Sequence, residues 1–187
     1  TDLYRGQVSM LAKRLTSEKV SIDEIFSGKF VKKSGFESSY VVTSLGRKLS
    51  RVRVLGLVVD RYVKEETNYG SITLDDGTQT VRCKAFINIK IFDGITSGDL
   101  VDIFGKIKEH NGEIYVMPEI IRKVESNYEM LRKLEINQIK KRQIEIIDKI
   151  RLLPTRDPKE LKVVMKGIAD DDEIDGILES GCLEQTK

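Results

Sequence analysis

Two cysteines, one histidine, three prolines and no tryptophan remove several kinds of chemistry from this 187-residue chain. Cys83 and Cys182 lie far apart, and His110 is the only histidine. A structural zinc site takes four ligands, mostly Cys or His at short spacing, and three scattered candidates do not make one. A Ser-His-Asp or Cys-His relay would have to use His110, which stands in a polar, Gly-containing turn without an orienting motif. There is no P-loop, no dinucleotide-binding glycine motif and no EF-hand loop. The expectation is therefore no catalytic residue, no metal and no cofactor: the chain is not an enzyme. No apolar run approaches the roughly eighteen residues of a membrane helix. The best, residues 55–59, is interrupted by Gly56. Arg5, Lys13 and Arg14 mark a start without an apolar centre, so no secretory signal is visible and an intracellular soluble protein is expected.

Charge of one sign is also missing. Against 32 Lys and Arg stand 30 Asp and Glu, a net +2, which excludes a protein that wraps polyanions by charge alone. The distribution along the chain says more. Residues 1–50 hold nine basic and five acidic side chains, and 51–124 hold eleven of each. Residues 125–151 hold seven basic and five acidic, and 152–187 hold five basic and nine acidic. The neutral second segment must be read by face.

That segment reads as strands. Residues 51–59 are rich in β-branched and aliphatic side chains, with Gly56 at a bend or bulge. Residues 69–74 and 79–86 flank Asp75-Asp76-Gly77-Thr78, and an Asp-Gly pair between alternating strands is a strong hairpin signal. Residues 100–108 form a fourth strand, Asn111-Gly112 a second turn and residues 113–117 a fifth strand. Pro118 limits pairing beyond it, leaving 119–124 as an edge continuation at best. The fold class expected is mainly β with α: a five-stranded barrel of the OB type, a long helix, then a small helical tail resembling a truncated winged helix. Other small barrels and sandwiches share this local pattern.

The domains expected are 1–50 as a lead-in packed on the barrel, 51–124 as the barrel, 125–153 as a long oligomerisation helix and 154–187 as the tail. Residues 1–20 read as a basic amphipathic helix through Leu3, Val8, Leu11 and Leu15. In the long helix Ser126 or Asn127 caps the start and Pro154 ends it. At 100° per residue Tyr128, Leu131, Ile139, Ile146, Ile150 and Leu153 share one face, while Ile136, Ile144 and Ile147 form a second stripe. Either the tail folds over that stripe or a partner helix does; the residues leave both open. In the tail, Asp157-Pro158 starts one helix and residues 170–179 form another, with Ser180-Gly181 as a stop leading into a strand.

Alternation along the strands sorts the barrel's side chains. Val81, Cys83 and Ala85 point in; Thr80, Arg82, Lys84 and Phe86 point out. Val101, Ile103, Gly105 and Ile107 point in; Asp102, Phe104, Lys106 and Lys108 point out. Tyr69 shares the outward parity of Ser71 and Thr73. Cations beside aromatic rings suit single-stranded nucleic acid, because cations follow phosphates while rings stack on bases. Phe104 is assigned instead to packing against the N-terminal segment.

Ser21-Ile22-Asp23-Glu24-Ile25, Gly28-Lys29-Phe30-Val31, Tyr40-Val41-Val42-Thr43, Arg47-Lys48, Tyr69-Gly70, Asp75-Asp76-Gly77-Thr78, Gly98-Asp99-Leu100-Val101 and Gly105-Lys106-Ile107 occur in order. This series resembles the archaeal middle-sized subunit of replication protein A, the heterotrimeric single-strand-binding complex. The resemblance covers residues 21–128. It implies a DNA-binding barrel with a stacking aromatic at Phe86 and a second stacking position at His110, where relatives carry Trp or Phe. Arg82, Lys84, Lys106, Lys108 and Tyr69 complete the expected DNA site. It further implies that the long helix joins those of the large and small subunits, through Leu131, Ile136, Ile139, Ile144, Ile146, Ile147 and Ile150. The expected partners are single-stranded DNA, those two subunits, and repair or replication factors at the tail. The expected location is the cytoplasm, at the nucleoid, or the nucleus of a eukaryote. An assembly subunit that barely touches DNA is the competing class. The OB module of a ligase or tRNA synthetase is the third.

Overall fold

The computed structural model describes residues 16–33 and 38–184. It opens with strand β1 (Glu18–Lys19), helix α1 (Ile22–Phe26) and three short strands, β2 (Lys29–Val31), β3 (Tyr40–Val42) and β4 (Lys48–Leu49). Five longer strands follow: β5 (Arg51–Lys64), β6 (Tyr69–Asp75), β7 (Thr80–Ala85), β8 (Leu100–His110) and β9 (Glu113–Lys123). Helices α2 (Asn127–Leu152), α3 (Pro158–Val164) and α4 (Asp171–Ser180) complete the chain.

The five long strands close on themselves in the order β5-β6-β7-β9-β8, with β8 pairing back to β5. All the ladders are antiparallel except the parallel contact of β7 with β9 at Cys83 and Val116. Both turns foreseen from glycine are present. Gly77 has φ +83°, and Asn111 and Gly112 both have positive φ, which matches the right-handed twist of the flanking strands. Val52, Val54, Ile72, Leu74, Val81, Cys83, Val101, Ile103, Ile107 and Val116 fill the interior, and burial pushes the Cys83 thiol up. Phe92, in the 3₁₀ turn Ile89–Phe92 between β7 and β8, is fully buried in this core. Its ring lies where a Cβ on Gly70 would fall, at 2.9 Å.

One strand runs past its expected end. β5 continues to Lys64 because the ladder with β6 skips a residue between Val58 and Asp60, and this bulge carries the strand onward. β9 continues through Pro118 to Lys123, paired beyond the proline with β8 alone, which is the edge continuation expected of residues 119–124. The ladder with β8 shifts beside that proline, where Gly105 faces Pro118 and Phe104 faces Ile120, so the missing N–H falls at an irregularity.

The described residues before β5 contribute to the barrel's core rather than merely covering it. Val20, Ile22, Ile25, Val41 and Leu49 are buried there. Residues 18–19 form a strand parallel to β5, which corrects the helix expected over 1–20 for that part; Leu3, Val8, Leu11 and Leu15 lie outside the described residues. Ser21 and Glu24 form a capping box on α1. Glu24 then receives Arg47 at 2.9 Å, with both side chains 7% exposed.

The helices build a second core. Ile146, Ile147 and Ile150 of α2 pack with Leu161, Met165, Ile174, Ile177 and Cys182. Leu45 reaches in from the β3–β4 turn, and its carbonyl accepts a hydrogen bond from Gln143 at 3.0 Å. Gly46 and Gly176 meet so closely that a Cβ on Gly176 would strike the Gly46 carbonyl oxygen. The buried face of α2 is thus Arg132, Ile136, Gln143, Ile146, Ile147 and Ile150. This corrects the expected subunit interface: Ile136, Ile146, Ile147 and Ile150 are buried within their own chain, and Ile139 is half-buried. Leu131 and Ile144 remain exposed, as do Tyr128, Met130 and Leu134. The tail folds over the helix because α3 and α4 present their own apolar faces to it.

Both tail helices start as expected. Asp157 accepts hydrogen bonds from the Lys159 and Glu160 amides, and Asp170 forms a capping box with Glu173. Ser126 makes no side-chain cap on α2, whose far end is closed by Arg156 donating to the Ile150, Arg151 and Leu153 carbonyls. Gly181 stops α4 with φ +70°, but residues 181–184 are turn rather than strand. No strand follows α2 among the described residues, so a winged-helix wing is not formed there.

Candidate nucleic-acid interface

Four rings cross the outside of the barrel, three from strands and one from the residue just past a fourth. Tyr62 of β5 lies 6.1 Å from Tyr69 of β6, measured between ring centroids. Tyr69 lies 5.5 Å from Phe86, which immediately follows β7, and Phe86 lies 6.1 Å from Tyr115 of β9. The strand registers produce this row. Tyr62 pairs with Ser71, Lys64 with Tyr69 and Gly70 with Ala85, so the aromatic positions fall beside one another on the outward parity. Tyr62 is 51% and Phe86 49% exposed, whereas Tyr115 is buried as the floor of the row. Burial raises the Tyr115 hydroxyl above its ordinary pKa, an effect larger than the opposing one of Lys84.

Cations flank the rings. The Lys84 ammonium lies 5.0 Å from the Tyr115 ring centroid and donates to Glu113 at 2.6 Å. Arg82 approaches the other oxygen of Glu113 at 3.6 Å. On the far side of β9, Lys108 is paired in register with Tyr115, and Lys106 with Met117. Lys106 lies 3.6 Å from Glu119, which also accepts from Arg51 at 2.6 Å. The hydrogen bond from Lys84 and then the positive charges of Lys84, Arg82 and His110 outweigh burial and hold the Glu113 carboxyl below the usual carboxylate range.

Of the positions chosen from sequence, Phe86, Tyr69, Arg82, Lys84 and Lys108 come together on one surface. Lys106 stands one outward position further along β8. His110 is exposed in the β8–β9 turn and, among the described residues, makes no ring contact with the row. Lys84 is not an open cation: it is buried between Tyr115 and Glu113. Phe104 is covered by the Arg53 guanidinium, 4.6 Å from its centroid. Asp102, which shares its outward parity, is buried and receives both Arg53 and Arg132 of α2.

Sequence reasoning missed Tyr62, Tyr115 and Glu113. Tyr115 carries the outward parity of the fifth strand between Ile114 and Val116, so alternation alone could have found it. Tyr62 could not be placed while the first barrel strand was ended at residue 59.

The closed barrel, its strand order and this outer face meet a family model described as an OB-fold nucleic acid binding domain, which matches residues 52–124. The barrel is an OB fold. Among solved structures, this OB chain is similar to a chain of a replication protein A heterotrimer bound to ssDNA. That match has a TM-score of 0.55 and 15% identity over 69% of this chain and 98% of that one. It is also similar to a chain of the S. pombe Stn1–Ten1 complex, with a TM-score of 0.58 and 15% identity over 71% of this chain and 96% of that one. At such identities the likeness is one of fold. An uncharacterized protein of Methanocaldococcus jannaschii is 32% identical over 128 residues, 65% of this chain and 49% of that protein. The chain thus spans about half the length of this curated relative. No three His, Cys, Asp or Glu side chains cluster as metal ligands among the described residues, and no helix there is long and apolar enough to cross a membrane.

Proposed function

We propose that this chain is a non-catalytic, single-stranded DNA-binding subunit of a replication protein A-like heterotrimer, protecting DNA during replication, repair and recombination. The observation that carries this reading is the row Tyr62, Tyr69, Phe86 and Tyr115 across the OB face, flanked by Arg82, Lys84, Lys106 and Lys108. The exposed rings of the row, Tyr62 and Phe86, offer stacking to bases with little sequence preference, and the cations beside them follow the phosphates. The fold neighbour from a replication protein A heterotrimer bound to ssDNA supports the same assignment. The exposed side of α2, with Met130, Leu131, Leu134 and Ile144, is the surface left for the helices of a large and a small subunit. Recruited repair or replication factors would meet the tail. The protein acts wherever the cell's DNA is: in the cytoplasm at the nucleoid, or in a nucleus.

The second reading, an assembly subunit that barely touches DNA, is favoured by the carboxylates already seated on Lys84, Arg82 and Lys106. Fluorescence anisotropy of labelled oligo-dT separates the two, with the chain alone and with co-expressed partners over a salt series. Binding by the isolated chain, weakened in Phe86→Ala, supports the DNA-binding reading, and the salt series reports how much of it the cations carry. Binding only in the complex, indifferent to Phe86 and Arg82, supports the assembly reading.

A further inference from the structure

Glu113 holds two cations of the aromatic face at once. One of its oxygens accepts from Lys84 at 2.6 Å and the other lies 3.6 Å from Arg82. A phosphodiester has the same form, two anionic oxygens able to engage two separate cations. Glu113 can also move away. Its side chain is 44% exposed and it stands immediately after the Asn111-Gly112 turn, so rotation about its own bonds releases both partners into solvent reach. Lys84 has less freedom, being 11% exposed and lying against the Tyr115 ring. Once Glu113 leaves, the ammonium stays at the row and requires another anion.

We propose that Glu113 is an internal counterion that competes with the phosphates of a bound single strand for Lys84 and Arg82, and thereby sets the affinity of this face. The inference rests on the reading of the face as a nucleic-acid site. The Glu113 carboxyl is anionic at neutral pH, so a phosphate exchanges one anion for another and gains little from these cations. Few counterions are then released from the nucleic acid, and binding depends only weakly on salt. Rings, rather than charges, supply the affinity of the wild-type face.

Glu113→Gln keeps the shape and one hydrogen-bond acceptor for Lys84 while removing the charge. It is expected to bind oligo-dT about tenfold more tightly at low salt. The plot of log K against log salt should steepen by about 0.7–1.4, the contribution of one to two further phosphates on a single strand. Asp93→Asn, an equal change of net charge at an exposed residue following the 3₁₀ turn, controls for overall charge and should change affinity less than twofold. Adding Lys84→Gln to Glu113→Gln should return affinity and slope towards wild type. Thermal melting confirms that each variant is folded. If Glu113→Gln binds no more tightly than Asp93→Asn while Phe86→Ala still weakens binding, the counterion proposal is wrong and the nucleic-acid reading stands. If neither Phe86→Ala nor Glu113→Gln changes the interaction with oligo-dT, both are wrong.

Discussion

Two sets of ion pairs use the same chemistry in opposite settings. At the lead-in and under α2, Glu24 meets Arg47, and Asp102 meets Arg53 and Arg132, with Glu24, Arg47, Asp102 and Arg132 all buried. On the aromatic face, Glu113 meets Lys84 and Arg82 beside a turn, with its carboxylate open to water. Burial is what separates a strut from an exchangeable contact. A buried charge that loses its partner has no water to replace it, whereas an exposed one does.

The largest test of that difference is Arg47→Met. It takes away the closest cation of the buried Glu24 carboxylate, leaving Lys140 at 3.7 Å, and should destabilise the chain by up to about 3–5 kcal/mol in urea melts. Arg47→Met with Glu24→Gln, which keeps a side-chain acceptor for the Ser21 amide, should cost less than the single change, because the buried carboxylate is gone. A comparable loss confined to the helical core is expected for Ile177→Ala: about 2–5 kcal/mol, lost first as hydrogen-exchange protection of α3 and α4. A melt of Ile177→Ala that equals wild type would mean that the tail contributes no stability.

On the exposed face the expected effects are smaller and concern binding. Phe86→Ala should weaken oligo-dT binding by about 1–3 kcal/mol without moving the melt much, since the ring is half exposed. Smallest of all, and on the helix rather than the aromatic face, is Lys133→Ala, which removes a solvent-exposed pair with Glu129 one helical turn away and should leave the melt essentially unchanged.

Acid titration sharpens the comparison from another side. Hydrogen bonds from Lys19 to Glu135, Lys123 to Asp99 and Lys84 to Glu113 hold these carboxyls below their ordinary values. A depressed carboxyl stabilises the fold fully above the usual carboxylate range of about 4 and loses that contribution as pH falls below it. Melting temperature should therefore be flat near neutrality and fall below about pH 4. Glu135→Gln should flatten that fall slightly by removing one of the three groups.

The barrel was readable from the chain because its signals are local. Alternation in residues 69–86, the Asp76-Gly77 and Asn111-Gly112 turns, and the inward parity of Val81, Cys83, Ile103 and Ile107 each depend on near neighbours. Lys84 was correctly turned outward, yet its partner sits 29 residues later, and no period in the sequence reports a cross-strand ion pair. The end of β5 was misplaced for a related reason. The bulge at Val59 lets the strand continue where Asp60 and Arg61 argue for stopping.

The long helix shows the division most clearly. Its length, its stop before Pro154 and its abundance of isoleucine follow from local propensity and periodicity, which act over a few residues. Which of those isoleucines face a partner does not, because 3.6-residue periodicity gives stripes without saying what covers them. Ile146, Ile147 and Ile150 were claimed by α3 and α4 from the same chain, and Ile136 was buried as well. The chain's own order thus dictates strands, turns, caps and parity. Long-range packing alone selects among apolar faces, joins Tyr62 to Tyr115 across four strands, and decides which charges water can reach.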